Sequence, residues 1–119
     1  MHELGITQGI IDRAREAAER DGAARVSALY LTITPAADFT RESIEMYFEM
    51  LAGEDPLFAG ALLLWEETPA EATCLSCSTA FSAIEARPVC PQCGSSQVSF
   101  DPRGALLQLT GIGIEDQAD

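Results

Sequence analysis

The stretches Cys74-Leu75-Ser76-Cys77 and Cys90-Pro91-Gln92-Cys93 decide the organisation of this chain, and together they use all 4 of its cysteines. A tetrahedral metal ion needs four soft ligands that converge on one point. Each Cys-x-x-Cys turn delivers two thiolates, and the residues between the turns form a hairpin that brings them together. The spacing therefore predicts a structural zinc site with four ligands, namely Cys74, Cys77, Cys90 and Cys93.

Other uses of four cysteines are weighed against zinc. Disulfides are disfavoured because the protein is expected in the cytoplasm, where thiols stay reduced. A redox-active Cys-x-x-Cys normally occurs singly beside a βαβ unit, whereas two pairs occur here. A rubredoxin-like iron site uses the same four thiolates, and the spacing does not distinguish it from zinc. Four thiolates leave no open position for water, so catalysis by this metal is not expected.

The residues around the cysteines support a small metal-dependent hairpin. Gly94 follows the second pair and allows backbone amides to point at the sulfurs, and Ser78 takes the equivalent place after the first pair. Four side chains are expected to give the hairpin its apolar contacts: Phe81, Val89, Val98 and Phe100. These are too few to fold it alone, so the metal should supply most of its folding energy.

Two helices are predicted before the cysteine segment. Residues 4–21 show a helical apolar stripe that ends at Asp21-Gly22, with glycine in the left-handed position after the helix. Thr40 is the expected N-cap of the second helix, which runs to Ala52-Gly53. Its apolar face is predicted to contain Ile44, Tyr47, Phe48 and Leu51, widened by Met46 and Met50 as core-filling side chains.

Three strands are predicted around these helices. Residues 26–34 form a strand buried on Leu29, Leu31 and Ile33, and the continuous apolar run 59–65 suits a central strand. Residues 66–73 are expected to be a polar linker. The third strand covers 105–114, with a bulge near Gly111 or Gly113, and 115–119 form a frayed acidic tail.

The predicted fold class is therefore α+β: a small three-stranded sheet with two helices on one face, plus an inserted zinc-ribbon-like hairpin subdomain. We expect an α/β domain over 1–69, completed by the strand in 104–119, and a zinc-binding domain over 70–103.

Composition narrows the possible partners. The formal charge is −12, from 7 basic and 19 acidic side chains, and every basic residue is arginine. A negative field of this size repels phosphate backbones, so nucleic acid is not an expected partner. The longest apolar run, 58–65, is far shorter than the roughly 20 residues that cross a bilayer, so no membrane partner is expected. The start has no signal-peptide pattern, which favours a cytoplasmic location.

His2 is the only histidine in the chain, and it follows Met1 directly. A free α-amine, the adjoining amide nitrogens and the imidazole lie within chelating reach of one ion. Such five- and six-membered nitrogen chelate rings suit square-planar Ni(II) or Cu(II) better than tetrahedral Zn(II). The alternative is a solvated terminal histidine without a role.

Met1-His2-Glu3-Leu4, the two-helix and three-strand pattern, and the two cysteine pairs closed by a strand that begins at Gly104 together resemble the HypA/HybF family of nickel metallochaperones. The resemblance implies a nickel site at Met1, His2 and Glu3, which makes the α/β domain over 1–69 the nickel-binding domain, and structural zinc on the four cysteines. It also implies cooperation with a HypB-type GTPase and delivery of nickel to the large-subunit precursor of a [NiFe] hydrogenase, or to urease in some relatives. A carrier of this kind, monomer or homodimer, exchanges ligands and is not an enzyme.

Some features depart from the family pattern. No additional histidine lies near the cysteine pairs, the segment 55–60 replaces a Gly-Thr-rich approach to the second strand, and Ala105 stands where a glutamate is frequent. Asp38, before the second helix, is a candidate to approach the amino terminus. Two alternative functions stay open at this point: a rubredoxin-like electron carrier, and a zinc-ribbon adaptor that carries no metal cargo.

Overall fold

The computed structural model describes residues 2–103 and 106–116, and for His2 it describes the backbone alone. The elements, in chain order, are α1 (His2–Arg20), β1 (Ala23–Ile33), α2 (Arg41–Ala52), a 3-10 turn (Pro56–Phe58), β2 (Leu62–Glu67), β3 (Ala70–Cys74), β4 (Ala80–Ala83), β5 (Val98–Phe100) and β6 (Leu107–Asp116). The strands form two three-stranded sheets, ordered β2-β1-β6 and β4-β3-β5. The predicted α+β class is confirmed.

The chain divides into two compact units. The first combines Met1–Leu31, Phe39–Trp65 and Gln108–Asp119, and the second combines Thr32–Asp38 and Glu66–Leu107. The first unit holds both α-helices, and the second holds the cysteine segment. In the part of the chain that the structure describes, no helix is both long enough and apolar enough to span a bilayer.

Helix α1 buries one apolar side, on which Ile10, Ile11, Ala14 and Ala18 are all less than a tenth exposed. It ends where the sequence predicts, with Gly22 at φ 64° and its N–H donating to the Glu19 carbonyl. It begins earlier than predicted, at His2, so the amino-terminal motif enters the first helical turn.

Strand β1 lies in the middle of its sheet, and the predicted burial of Leu29, Leu31 and Ile33 is confirmed. Arg25 pairs with Glu115, while further along β1 the Tyr30 carbonyl accepts from the Thr110 hydroxyl. As the residue number rises along β1, the number of the partner residue in β6 falls, so these two strands are antiparallel.

The carboxyl-terminal strand differs in extent from its prediction. Strand β6 includes Glu115 and Asp116, which the sequence predicts to be part of the frayed tail, and residues 117–119 lie outside the described chain. The start of the predicted strand at Ala105 also lies outside it. The bulge near Gly111 or Gly113 stays a prediction.

Helix α2 begins at its predicted cap, because the Thr40 side chain accepts from the Ser43 N–H at 3.1 Å. It buries Ile44, Phe48 and Ala52. The prediction that Met46 and Met50 fill the core is wrong, since they are 53% and 67% exposed. Each lies two positions after a buried residue, and two positions turn a helix by about 200°, to its opposite side.

Two predictions around β2 are also wrong. The strand is at an edge of its sheet rather than the centre, and Leu62 and Leu64 on one of its faces are 62% and 41% exposed. A sheet commonly packs one face on the core and leaves the other face in solvent, and a continuous apolar run does not reveal which face is covered. The expected linker 66–73 belongs largely to strands, since β2 continues to Glu67 and β3 begins at Ala70.

The second unit is built on β3, which pairs antiparallel with β4 and with β5. Thr73 lies opposite Ala80 in one ladder, and Cys74 lies opposite Val98 in the other. Ala72 and Ala83 are buried between the strands. Of the four predicted apolar contacts, Phe81, Val98 and Phe100 are half-buried, whereas Val89 is 58% exposed and does not contribute to the core.

Candidate metal centre

The four cysteine sulfurs converge in the second unit. All four Sγ atoms lie within 4.8 Å of one another. The Sγ atoms of Cys74 and Cys93 are 3.6 Å apart, as are those of Cys77 and Cys90. A tetrahedron with metal–sulfur bonds of about 2.3 Å has edges of about 3.8 Å, so the sulfurs stand at the spacing that a four-thiolate ion requires. They are unpaired thiols, not disulfides.

The two Cys-x-x-Cys turns have the same internal hydrogen bonds. In the first, the Ser76 N–H points at the Cys74 sulfur (3.4 Å), and the Ser78 N–H donates to the Cys74 carbonyl (2.9 Å). In the second, the Gln92 N–H points at the Cys90 sulfur (3.3 Å), and the Gly94 N–H donates to the Cys90 carbonyl (2.9 Å). The backbone therefore presents donors to sulfur in both turns, as thiolate ligands require.

Each turn closes through a residue in the left-handed region. Ser78 has φ 66° and Gly94 has φ 75°. Among residues 2–103 and 106–116, Ser78 is the only non-glycine residue with positive φ. This conformation redirects the chain after the second cysteine of each pair. The equivalence of Ser78 and Gly94 that the sequence predicts is confirmed by these angles.

Burial divides the sulfur ligands into an inner and an outer pair. The first cysteine of each turn is buried, Cys74 at 1% and Cys90 at 2% exposed, and the second cysteine of each turn is exposed. The buried pair fixes the cluster against the strands, while the exposed pair closes it from outside. The cluster is thus near the surface but anchored in the fold.

Hydrogen bonds make the cysteines unequal in acidity. The Thr79 hydroxyl lies 3.1 Å from the Cys77 sulfur and is the main cause that lowers the pKa of Cys77, to about 6. A backbone N–H bond from Cys77 lowers the pKa of Cys74. For Cys93 the Ser95 amide also acts to lower the pKa, but the surrounding thiols and desolvation outweigh it and raise the pKa to about 12.

This spread has a simple physical origin. The pKa of Cys93 is raised because its thiol takes part in hydrogen bonds with the neighbouring sulfurs of Cys74, Cys77 and Cys90, which favour the protonated form. A divalent cation bound by the sulfurs would replace that proton and stabilise the thiolates. The donor set, the spacing and the acidity thus fit a thiophilic ion such as zinc, held by all four cysteines.

Sequence reasoning missed the hydroxyls that support the cluster. Besides Thr79, Ser76 and Ser95 contact each other through their hydroxyl oxygens at 2.9 Å and so connect the two turns. The sequence does indicate two of these hydroxyls. When CLSCST and CPQCGS are aligned, a hydroxyl residue follows the second cysteine of each pair by two positions, namely Thr79 and Ser95. The Ser76 contact has no equivalent in the second turn.

The predicted nickel residues are described in part. Met1 and the His2 side chain lie outside the described residues. Glu3 is half-buried in the first turn of α1, and its carbonyl accepts from the Thr7 hydroxyl at 2.7 Å. Asp38 is exposed in the bend before α2, and its approach to the terminus stays a prediction.

The chain matches known proteins over most of its length. The family model described as hydrogenase/urease nickel incorporation, metallochaperone, HypA matches residues 1–113. The hydrogenase maturation factor HypA of Caldanaerobacter subterraneus subsp. tengcongensis is 31% identical, and that of Azotobacter vinelandii is 37% identical; each alignment covers 97% of this chain and 100% of the relative.

Solved structures show the same fold. The solution structure of the nickel metallochaperone HypA from Helicobacter pylori has a TM-score of 0.65 at 20% identity and covers 97% of this chain and 98% of its own. A second HypA solution structure has a TM-score of 0.65 at 21% identity, over 98% of both chains. From the family model and the two curated relatives together, this chain belongs to the HypA family of hydrogenase/urease nickel-incorporation metallochaperones.

Proposed function

We propose that this protein binds Ni(II) through Met1, His2 and Glu3 and delivers it to the large-subunit precursor of a [NiFe] hydrogenase. The observation that carries the proposal is the family match over residues 1–113, which spans both the amino-terminal motif and the four cysteines. The ligands would be the Met1 amine, the His2 imidazole and the backbone nitrogens of the first residues. Nickel is cargo, and no bond-making chemistry on a substrate is proposed.

The start of α1 supports a backbone chelate. The helix begins at His2, and the first four N–H groups of a helix have no intrahelical carbonyl to bond. Amide nitrogens that become nickel ligands must lose their protons. At this position, their deprotonation breaks no hydrogen bond of the helix. The same ligation in the middle of α1 would disrupt the helix.

Charge at the helix terminus favours the same kind of complex. The N-terminal end of a helix has a partial positive charge of about half a unit, which disfavours an added cation. Two amidates would neutralise Ni(II), and the Met1 ammonium would lose its own charge on ligation. The terminus would therefore change from +1 before loading to neutral after it, a change that the helix dipole favours. Uptake releases protons and should strengthen as pH rises.

For the cysteine cluster, we propose zinc as a resident structural ion held by Cys74, Cys77, Cys90 and Cys93. Zinc would stabilise the small unit, whose strands β3, β4 and β5 contain 5, 4 and 3 residues. Three strands of this length have little core of their own, so metal binding contributes folding free energy. The domain assignment follows: 1–69 with 104–119 would bind nickel, and 70–103 would bind zinc.

The partners belong to the same proposal. We assign a HypB-type GTPase as co-worker and the hydrogenase large-subunit precursor as acceptor, both in the cytoplasm. An exposed terminal site suits transfer, because an incoming ligand can replace the carrier's nitrogens one at a time. Urease is the alternative acceptor that the family description includes.

The experiment is a Ni(II) titration of the untagged, zinc-loaded protein. We expect one nickel per chain, and loss of binding both in His2→Ala and in a variant with Gly-Ser added before Met1, while bound zinc is unchanged. Gln8→Ala is a matched control in the second turn of α1, where the side-chain amide donates to the Asp12 carboxylate at 2.9 Å. Nickel binding that survives both terminal changes would contradict the proposed site.

Metal analysis of the protein as purified tests the cysteine cluster. We expect about one zinc and no visible absorbance; a red protein with iron would instead support the rubredoxin-like alternative. Cys93→Ala is expected to lose zinc and expose 70–103 to proteolysis. A zinc-free Cys93→Ala protein that resists proteolysis as the parent does would refute a structural role for the ion.

A further inference from the structure

We infer that Thr7 is a positioning residue for nickel, which holds the Glu3 carbonyl in place so that loading reorganises only the chain before it. The inference rests on the proposed function, because it assumes nickel at the amino terminus. It adds a residue outside the Met-His-Glu motif and assigns it a role at a stated atom, the carbonyl oxygen of Glu3.

The position of Thr7 is unusual for a polar side chain. Thr7 is 1% exposed. Among residues 3–103 and 106–116, it is the only polar residue that is buried. Its Oγ1 donates to the Glu3 carbonyl oxygen at 2.7 Å. In the helical pattern the Thr7 N–H is directed at the same oxygen, so two donors from one residue hold this carbonyl.

Stability alone does not require this hydroxyl. A threonine that bonds to the carbonyl four residues earlier adds a second donor to an oxygen that the helix already bonds once, and such bonds tend to bend a helix slightly. The side of α1 that is buried is otherwise apolar, with Ile10, Ile11 and Ala14 next along the chain. Valine has the same shape as threonine and would avoid burying a hydroxyl. The distinctive effect of Thr7 is thus on Glu3.

The chemistry of the chelate explains why the Glu3 carbonyl matters. Each chelate ring through two consecutive backbone nitrogens contains the N–Cα–C–N torsion between them. For the nitrogens of Met1, His2 and Glu3, these torsions belong to Met1 and His2. The torsion that orients the Glu3 carbonyl is outside every ring. A flat chelate ring needs a torsion nearer to zero than the helical value of about −42°.

The hydrogen bond from Thr7 to the Glu3 carbonyl therefore lies between the backbone that rearranges on nickel binding and the part of α1 that stays helical. The backbone torsion of His2 changes to bind nickel, while the Glu3 carbonyl keeps its helical position on Thr7. Fixing that carbonyl limits the motion of the Glu3 nitrogen and lowers the conformational entropy lost on loading. Removal of the hydroxyl should weaken nickel binding about tenfold, which corresponds to about 1.4 kcal/mol.

The test compares Thr7→Val and Thr7→Ser in the untagged, zinc-loaded full chain. Nickel affinity is measured by competition with a chromophoric chelator, together with zinc content, thermal unfolding and the absorbance bands of bound nickel. Thr110→Val is the matched control, because Thr110 also donates its hydroxyl to a backbone carbonyl, that of Tyr30, but in β6.

We expect about tenfold weaker nickel binding in Thr7→Val, recovery in Thr7→Ser, and no change in Thr110→Val, with zinc content equal in all. Unchanged or tighter nickel binding in Thr7→Val would overturn the inference, as would equal loss in Thr7→Ser. If Thr7→Val does not fold, Thr7→Ala provides a second side chain without a hydroxyl, with the same loss expected and the same results contradicting it. Failure of the proposed function is recognised separately, since the parent chain would then bind no nickel or bind it independently of His2.

Discussion

Ser78 and Gly94 occupy the same position in the two cysteine turns, with φ of 66° and 75°. A left-handed conformation costs a residue with a side chain roughly 1 kcal/mol or more, and costs glycine almost nothing. Apart from Gly94 itself and its two chain neighbours, no heavy atom of the described residues lies within 4 Å of where a Gly94 Cβ would stand, so the cost at that position is conformational rather than steric.

Opposite substitutions at these two positions should have opposite effects. Gly94→Ala is expected to weaken zinc retention by about 1 kcal/mol, because alanine must adopt positive φ. Ser78→Gly should leave retention unchanged or raise it by up to about 1 kcal/mol, since the extra freedom of unfolded glycine offsets part of the relief. Competition with a zinc chelator measures both. Weaker zinc binding in Ser78→Gly would show that the serine side chain contributes more than its strain costs.

Thr79 is the next residue to test, because its hydroxyl contacts the exposed sulfur of Cys77 at 3.1 Å. Outer hydrogen bonds to metal ligands typically change metal affinity by 10- to 100-fold. Thr79→Val should therefore release zinc about tenfold more readily, and Thr79→Ser should behave as the parent. Ser82→Ala is a suitable control, since that hydroxyl in the same unit bonds to Glu71 and not to sulfur. Equal zinc affinity in Thr79→Val and the parent would contradict a supporting role for the hydroxyl.

In the first unit, Asp55 should make the free energy of unfolding depend on pH in the acid range. Its carboxylate pairs with Arg15 at 2.6 Å and accepts from the Leu57 N–H at 2.9 Å. The Arg15 hydrogen bond, followed by the Leu57 amide, lowers the pKa of Asp55 below its usual value. Because the folded pKa is below the unfolded pKa of about 3.9, the contribution is fully present above pH 4 and is lost as pH falls through the folded pKa.

Asp55→Asn isolates this charge, since the asparagine oxygen can still accept from Leu57. We expect the variant to be about 0.5–1 kcal/mol less stable at pH 7, a modest value because the Arg15 and Asp55 side chains are 39% and 25% exposed and solvent screens the pair. The difference in free energy of unfolding between the variant and the parent should vanish at low pH, where Asp55 is protonated in both the folded and the unfolded state. Urea unfolding of both proteins between pH 2.5 and 7 measures it, and a constant difference over that range would exclude the carboxylate as its source.

Features set by neighbouring residues could be predicted from the sequence. The cysteine turns, the Thr40 cap and the Gly22 terminus each depend on a few consecutive residues, whose hydrogen bonds close locally. The convergence of two distant cysteine pairs was also predictable, because four ligands of one kind leave a single sensible arrangement.

Features set by distant partners could not be predicted. Residues 70–73 look like the end of a linker, and together with Cys74 they form β3 because Ala80–Ala83 and Val98–Phe100 pair with them on both sides. Leu62 and Leu64 lie on an edge strand, where no local pattern reveals which face is covered. Ser76, Thr79 and Thr7 are residues of common types, and the sequence does not show which group each hydroxyl contacts in the folded chain.

The burial of Leu31 and the exposure of Met50 give the last prediction, because the sequence assigns both to the core. Leu31 is 1% exposed in the central strand, whereas Met50 is 67% exposed on α2. Leu31→Ala should lower the free energy of unfolding by 2–5 kcal/mol, since it leaves a cavity in packed surroundings. Met50→Ala should change it by no more than about 0.5 kcal/mol, because alanine also favours the helix. Chemical unfolding of the zinc-loaded proteins measures both, and a loss above 1.5 kcal/mol in Met50→Ala would mean that Met50 packs against a surface in solution.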